Sequence, residues 1–201
     1  YALLASIYLS KMREVAGRTE GDAETIRQEF QTSLANAVQN AQEATRVSPR
    51  NYQNWVVLAR VYSSVVPLNI EGAYENAKNA YERASILSPL DPSIYLGIAE
   101  LEVARNNFAA AEIAVKKAVE LKPNYLDAIF LSAQLAIQAG KTAEAITAVE
   151  AATVFEPNNP VILYQLGLLY FGNNEVDKVI PVLERAVSLS KDYSNARYFL
   201  G

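Results

Sequence analysis

The sequence of 201 residues contains no cysteine and no histidine. Their absence excludes a disulfide framework, a cysteine nucleophile, a Ser-His-Asp triad and a zinc site built from histidine or cysteine. We therefore expect no catalytic residues, no metal and no cofactor. The net charge is −4. Because nucleic-acid binding depends on lysine and arginine to neutralise phosphates, we expect no nucleic-acid partner either.

Glycine and proline are also scarce, with eight of each, whereas 51% of the residues are hydrophobic and 20% are charged. This composition favours helices and is too apolar for a disordered chain. The chain begins with Tyr1 and its only methionine is Met12, which indicates a processed or excerpted piece of a longer protein. The apolar segment 1–9 is too short to span a bilayer, so we expect no membrane insertion by this segment.

A repeat with a period of 34 residues runs through the sequence. It is marked by Pro89, Pro123 and Pro157, and Lys191 stands at the next interval. Alanine precedes each of these four positions by five residues, at Ala84, Ala118, Ala152 and Ala186. Twelve residues before them stand Ala77, Ala111, Ala145 and Val179. Small residues seven apart lie on one face of a helix, where they let a neighbouring helix approach closely.

The sequence of each repeat predicts two helices joined by a polar turn. The first helix covers Pro92 to Ala104 in one repeat and Pro160 to Phe171 in another, with proline in the first helical turn, where it is tolerated. The second helix ends before the proline that closes the repeat. The turns contain residues that tolerate the left-handed backbone at a helix end, namely Asn106-Asn107, Gly140-Lys141 and Gly172-Asn173-Asn174.

These residues resemble the tetratricopeptide repeat (TPR). The resemblance rests on the 34-residue period, the terminal proline and three short motifs: Trp55-x-x-Leu58-Ala59-x-x-Tyr62, Leu166-Gly167-x-x-Tyr170 and Ala77-x-x-x-Tyr81-x-x-Ala84. It implies an all-α fold, a right-handed α-solenoid of antiparallel helix pairs, with about five pairs and a C-terminal half-repeat. Ala99 and Ala133 replace the usual glycine of the motif, and Lys191 replaces the last proline.

The repeat divides the chain into consecutive units of one solenoid. The first full unit carries extra residues near Ser64 to Asn69, and we expect Asn69 to cap a second helix that begins near Ile70. Before it, a divergent pair is predicted, with a first helix from Tyr1 to about Val15 and a second helix over residues 24–46. The predicted units are 1–51, 52–91, 92–125, 126–159, 160–193 and the start of a further repeat at 194–201.

In TPR proteins the second, fifth, ninth and twelfth residues of each first helix face a concave groove that binds peptides. Carried over, the resemblance makes this groove polar at its N-terminal end and apolar and aromatic at its C-terminal end. Several of these side chains could equally be packed against neighbouring helices. The basic clamp with which some relatives hold a C-terminal carboxylate is absent, because Val56, Leu96 and Glu100 stand at its positions beside Arg60. The candidate groove residues are Arg60, Glu100, Phe130, Gln134, Tyr164, Leu168, Phe171 and Tyr198.

The two ends of the sequence are apolar, although helical repeat arrays usually end in a polar cap. Docking of one end on the other end of a second copy would bury these side chains and would produce rings or filaments. The residues predicted to make this end-to-end contact are Tyr1, Leu3, Leu4, Tyr8, Tyr198, Phe199 and Leu200.

The sequence favours a non-catalytic scaffold that binds protein or peptide through the groove or through its ends. One alternative is a structural subunit that assembles head-to-tail. Another is an enzyme that pairs Glu100 or Glu102 with Asp127 or Glu144. The stretch from Ser48 to Tyr74 also resembles soluble repeat regions of bacterial membrane-anchored polysaccharide-polymerase-like proteins, which implies an extracytoplasmic or cell-surface location.

Overall fold

The computed structural model describes residues 1–190 and shows only helices over that range. Residues 191–201, which include the predicted start of a further repeat, lie outside the described part. The α-helices, in chain order, are α1 (Ala2–Ala16), α2 (Ala23–Val47), α3 (Tyr52–Ser63), α4 (Ala73–Leu87), α5 (Pro92–Ala104), α6 (Phe108–Leu121), α7 (Leu126–Gln138), α8 (Thr142–Phe155), α9 (Pro160–Gly172) and α10 (Val176–Leu189). The all-α fold of helix pairs is confirmed.

The helices recur at the interval that the sequence shows. The first helices α5, α7 and α9 begin at Pro92, Leu126 and Pro160, and the second helices α6, α8 and α10 begin at Phe108, Thr142 and Val176. Both series advance by 34 residues per repeat. Each of these first helices has 13 residues and each of these second helices has 14, so the pairs share the same helix and turn lengths.

The turns between the paired helices share one hydrogen-bonded geometry. After each of these first helices, one residue takes the left-handed backbone conformation. These residues are Asn106 (φ 58°), Gly140 (φ 75°) and Asn174 (φ 62°). The amide of the following residue donates to a carbonyl five positions earlier, as from Asn107 to Glu102 at 2.9 Å. This Schellman closure satisfies carbonyls that the helix end leaves unpaired. In the other two turns the donating amides belong to Lys141 and Glu175.

The inter-helix turn of the first full repeat differs from the sequence-based expectation. Asn69 is not the N-cap of the second helix. It takes a left-handed conformation (φ 54°) at the end of a short 3-10 helix, Val66–Leu68, and α4 begins only at Ala73, after Gly72. Asparagine is favoured both at N-caps and in the left-handed region, so the residue type alone does not choose between the two roles.

Close packing divides the chain into two compact units, residues 1–114 and the part from Val115 onward, with the boundary inside α6. In the first unit α3 contacts α1 and α5, so the first helices of successive pairs lie side by side. The core of this unit combines alanines with larger side chains. Its members include Leu9, Met12, Ala37, Ala41, Leu58, Ala59, Val61, Ala77, Ala84, Ile94 and Leu101.

In the second unit α8 packs against both α7 and α9, and α10 packs against α9. Gly167 of α9 lies against Leu183 of α10, and a Cβ on this glycine would stand 2.9 Å from Leu183 Cγ. Glycine is therefore what allows this pair of helices to pack with a leucine between them. The core includes Ile129, Ala145, Val149, Ala152, Ile162, Leu166 and Leu183.

The alanines that mark the repeat are buried, as their spacing predicts. Ala84, Ala118, Ala152 and Ala186 have no solvent-exposed surface, and neither have Ala77, Ala111 and Ala145. Across residues 1–190, no helix combines the length and the apolar character needed to cross a membrane.

Candidate functional site

A cavity of about 520 Å³ opens on the face of the first unit that the first helices form. Helices α1, α3 and α5 contribute to its walls, and α4 contributes one tyrosine. Its polar lining consists mainly of charged and hydroxyl side chains, which include Ser10, Arg13, Arg60, Ser63, Tyr81 and Glu100. Two of the residues predicted for the groove, Arg60 and Glu100, therefore come together at one cavity.

Charged groups of both signs meet at this cavity. Arg13 and Arg60 bring two guanidinium groups, and Glu100 brings one carboxylate. Arg60 also acts electrostatically on the Asp91 carboxylate, which does not line the cavity. All three lining side chains belong to exposed residues, so solvent screens their charges.

Tyr81 forms the inner end of the cavity. Its residue surface is only 2% exposed, and burial raises the pKa of its phenol to about 12. The hydroxyl therefore stays protonated at any physiological pH and can donate a hydrogen bond. Arg60, which opposes that rise, and Glu100, which adds to it, both lie close enough to act on the phenol electrostatically.

Gly97 makes room for this tyrosine. A Cβ at position 97 would lie 2.6 Å from Tyr81 Cζ and 2.7 Å from Cε1, well inside van der Waals contact. Glycine inside a helix costs about 1 kcal/mol relative to alanine. In α5 that cost is offset by the packing of a full tyrosine ring, whose hydroxyl reaches the cavity past the bare backbone of Gly97.

The Ser63 hydroxyl is a further polar group at this position. Its Oγ atom is buried and lies beside the Tyr81 phenol, close enough to interact with it. By contrast, the neighbouring Ser64 hydroxyl donates to the carbonyl of Val61 at 2.6 Å.

Other buried polar side chains serve the fold. Glu102 accepts hydrogen bonds from the Tyr74 hydroxyl at 2.9 Å and from Asn107 Nδ2 at 2.8 Å. The Arg105 guanidinium lies 4.7 Å from the centre of the Tyr74 ring. Glu102 is thus held by two donors inside the repeat, and it does not lie at the cavity.

In the second unit the groove positions form an apolar surface. Phe130 and Tyr164 are half-buried and pack against the core, and Leu168 is also half-buried. Phe171 is 57% exposed, and Gln134 is exposed as well. Tyr198 lies outside the described residues. Apolar surface therefore remains accessible beside partly embedded aromatic rings, chiefly at Ile137, Val161 and Phe171.

Two groove positions of the first unit are buried. Val56 and Leu96, at the fifth position of α3 and α5, are 8% and 6% exposed. The expectation that this position faces the groove is wrong for these two helices, because their side chains fill space between adjacent helices. The position is more open in the second unit, where it holds the larger rings of Phe130 and Tyr164.

The outer side of α1 presents a second apolar surface. Leu3 is 75% exposed, and Tyr1, Leu4 and Ile7 are also exposed, at 46–59%. Tyr8 differs from the other predicted end-contact residues, because it is half-buried and packs against the core of its own unit. The predicted partners Tyr198, Phe199 and Leu200 lie outside the described residues.

The sequence reasoning missed part of the cavity and its support. Arg13, Ser10 and Tyr81 stand outside the positions that the TPR resemblance assigns to the groove, whereas Ser63 occupies one of them, the twelfth of α3. Gly97 carried a usable signal, because glycine is unfavourable in the middle of a predicted helix and indicates a close contact.

Comparison with known proteins identifies the family to which the chain belongs. A tetratricopeptide repeat model matches residues 71–125 and 130–197. The chain is similar to anaphase-promoting complex subunit 3 of Schizosaccharomyces pombe, with 21% identity over 158 residues, which are 79% of this chain and 23% of that protein. This chain thus spans less than a quarter of the length of that relative.

Solved structures show the same fold. The crystal structure of MamA gives a TM-score of 0.65 at 17% identity and covers 88% of this chain and 99% of that one. The structure of YrrB, a TPR protein with an unusual peptide-binding site, gives a TM-score of 0.60 at 20% identity over 83% of each chain. From its repeated helix pairs and the family model that matches more than half of its residues, the chain belongs to the tetratricopeptide repeat family.

Proposed function

We propose that this protein is a non-catalytic scaffold that binds polypeptides on the surfaces that the first helices form within each of its two compact units. The observation that carries the proposal is the accessible surface at the groove positions. In the second unit these positions expose apolar side chains such as Phe171, and in the first unit Arg60 and Glu100 border an open cavity. Accessible apolar groups supply affinity for a peptide, and nearby polar groups supply orientation.

The similar proteins support a role of this class. One is a subunit of the anaphase-promoting complex, and YrrB has a peptide-binding site. The identities are too low to carry a specific partner over to this chain. What this chain shares with them is the helix-pair fold, and its own exposed side chains decide what it binds.

A selection from a random peptide display library tests the proposal. We expect the 201-residue chain to enrich peptides that lose binding when Phe171 or Arg60 is replaced by serine. Replacement of Ile113, an exposed residue of a second helix, by serine is the matched control and should leave binding unchanged. Enriched peptides that bind all three variants equally, or the absence of any enrichment, would contradict the proposal.

The carboxylates considered for an enzyme have other surroundings. Glu102 is held by Tyr74 and Asn107 inside the first unit. Glu144 lies in the first turn of α8 and pairs with Lys141 at 3.7 Å. A carboxylate at the first turn of a helix is favoured by the helix dipole and needs no catalytic role. These contacts favour binding over catalysis.

A second candidate function is head-to-tail assembly, and the exposed side of α1 favours it. Leu3, Leu4 and Ile7 lie at the helical spacing of three and four residues and form one apolar strip. Burying one such side chain stabilises a contact by about 1.5–3 kcal/mol. Docking of a second copy on this strip would make the chain a structural subunit of a ring or filament.

Light scattering coupled to size exclusion tests this candidate. Assembly predicts a mass that rises with concentration, and the variant carrying Leu3→Asp and Ile7→Asp should stay monomeric. A monodisperse monomer at high concentration for the unaltered chain would exclude the assembly. The resemblance to polysaccharide-polymerase-like proteins, and with it an extracytoplasmic or cell-surface location, stays a prediction.

A further inference from the structure

We infer that a second surface of the first unit binds a proline-rich segment of another protein in the polyproline II conformation. This surface is a cleft of about 460 Å³, lined by side chains of α2, α3 and α4, which lies within the size range of about 300–1,000 Å³ that is usual for ligand pockets. Its characteristic residues are Trp55, Tyr62, Asn76, Asn79 and Ile86, and it is called the Trp55 cleft below. The inference goes beyond the proposed function, because it assigns a separate site.

The Trp55 cleft lies on a different side of α3 from the cavity that Arg60 lines. Trp55, Leu58 and Tyr62 follow one another at intervals of three and four residues, so they share one side of the helix. Arg60 is five positions beyond Trp55, which places it about 140° around the helix axis. A segment bound in the cleft therefore leaves the first-helix surface free.

Two aromatic residues of the cleft are already fixed in place. The Trp55 indole Nε1 donates to the carbonyl of Pro49 at 2.8 Å, and the Tyr62 hydroxyl accepts from Gln42 Nε2 at 2.9 Å. Both residues are half-buried and pack partly against the core. Because the indole N–H is already bonded, Trp55 offers a partner its apolar ring, and a ring that is already held loses little conformational entropy on binding.

The repeat does not require aromatic residues at both of these positions. Trp55 and Tyr62 are the fourth and the eleventh residues of α3. The first helices α5, α7 and α9 have an aromatic residue at one of these positions or at neither. The corresponding pairs are Tyr95 and Glu102, Ile129 and Ala136, and Leu163 and Tyr170. The two rings are therefore a property of this site.

The spacing of the two rings fits a polyproline II helix. Seven residues along α3 correspond to a rise of about 10.5 Å between Trp55 and Tyr62. A polyproline II helix repeats every three residues, or about 9.3 Å, so two prolines three positions apart can each pack on one ring. A β-strand presents side chains on one side about every 6.7 Å, which does not match the distance between the rings.

The polar side chains of the cleft suit an extended backbone. Asn76 and Asn79 of α4 are exposed carboxamides, and each has two donor hydrogens. A polyproline II segment has no internal hydrogen bonds, so its carbonyls can accept from these donors. The carbonyls of an α-helix are bonded within the helix, although its side chains also recur over about 10.8 Å in two turns. The cleft therefore favours a polyproline II segment over an amphipathic helix.

The charges of the cleft suit a segment without net charge. Among the described lining residues, Glu82 and Arg83 are the charged ones, and their opposite charges balance. Leu58 and Ile86 add apolar surface, and Ile86 is 72% exposed. Proline is uncharged and apolar and has no N–H to satisfy, so a proline-rich segment matches this lining.

Tryptophan fluorescence tests this inference directly, because Trp55 is the only tryptophan of the chain. Titration of the intact chain with acetylated and amidated heptaproline should shift the Trp55 emission to shorter wavelengths and should saturate. A blocked heptapeptide of alternating glycine and serine should leave the emission unchanged, because it is flexible and has no rings to pack on the cleft. Cellohexaose, a neutral oligosaccharide, should also leave it unchanged.

Variants assign the binding to the cleft. Tyr62→Leu removes one ring and keeps an apolar side chain, and it should weaken heptaproline binding at least about fivefold. Ile86→Ser changes an exposed residue, so it tests the cleft even if Tyr62→Leu does not fold, and it should weaken binding about threefold. Circular dichroism of each variant checks that the fold is retained.

Tyr95→Leu is the matched control. Tyr95 is another half-buried tyrosine of the first unit, and its hydroxyl donates to the carbonyl of Pro89 at 2.8 Å, but it does not line the cleft. Its replacement should leave heptaproline binding unchanged. An equal loss in Tyr95→Leu and Tyr62→Leu would overturn the inference, because a general loosening of the unit would then explain both.

The remaining outcomes also decide the matter. No change in Trp55 emission at millimolar heptaproline, or an equal response to the glycine-serine peptide, would overturn the inference. A response to cellohexaose without one to heptaproline would identify a carbohydrate site instead. Library peptides that lose binding in Tyr62→Leu belong to the Trp55 cleft, whereas the Phe171 and Arg60 variants test the first-helix surfaces, so the two proposals fail independently.

Discussion

Replacement of Gly97 by alanine tests the contact that shapes the cavity. The added Cβ would lie 2.6 Å from Tyr81 Cζ, and the tyrosine cannot turn aside easily because its residue is 98% buried, with only 2% exposed. Overpacking of a core costs about 1–3 kcal/mol, while the gain in helix propensity from glycine to alanine is about 1 kcal/mol. We therefore expect Gly97→Ala to lower the free energy of unfolding by up to about 2 kcal/mol.

Urea denaturation followed by circular dichroism measures this change. Gly172→Ala is the matched control, because Gly172 ends α9 and its Cβ would meet no atom within 4 Å. The control variant should be as stable as the unaltered chain or slightly more stable. If Gly97→Ala were as stable as Gly172→Ala, the tyrosine ring would not press on α5, and the support of the cavity would have to be different.

Three further predictions concern the fold. Ala118→Arg should lower the free energy of unfolding by several kcal/mol, because Ala118 has no exposed surface and a buried unpaired charge is costly; unchanged thermal stability would show that no close helix contact exists there. Asn54→Ala should lower the free energy of unfolding, measured by urea denaturation, by about 1–3 kcal/mol, because Asn54 is buried and its Nδ2 donates to the carbonyl of Ala44 at 2.8 Å. A change below about 0.5 kcal/mol would refute this capping role. The free energy of unfolding should fall as the pH rises from about 10 to about 12, because the pKa of Tyr81 is raised to about 12 in the folded chain and the unfolded chain releases this proton first. Tyr81→Phe should flatten that part of the pH profile of stability. An unchanged slope would contradict the burial of the phenol.

The repeat was predictable from the sequence because its determinants are local. Helix ends need particular residue types, and the turn residues Asn106, Gly140 and Asn174 take the left-handed backbone that their type allows. Burial of Ala84 and Ala118 followed from the same spacing, since small residues seven apart mark one face of a helix. Where local chemistry is ambiguous, the prediction failed, as for Asn69.

The cavity was not predictable in the same way, because it depends on packing between distant residues. Tyr81 and Gly97 meet across two helices of different repeats, and nothing in the spacing of either repeat specifies that contact. Arg13 joins Arg60 only because α1 lies beside α3. The buried Val56 and Leu96 show the same limit, since a position that faces outward in one repeat fills a gap in another.

The most direct test of the account is a map of where a selected peptide binds. Amide chemical shifts of the intact chain should change on the first helices α1, α3, α5, α7 and α9, and signals of exposed second-helix residues such as Ile113 and Val154 should stay in place. Shifts confined to the second helices, or no shifts at all, would contradict the claim that the first helices of each unit form the polypeptide-binding surface.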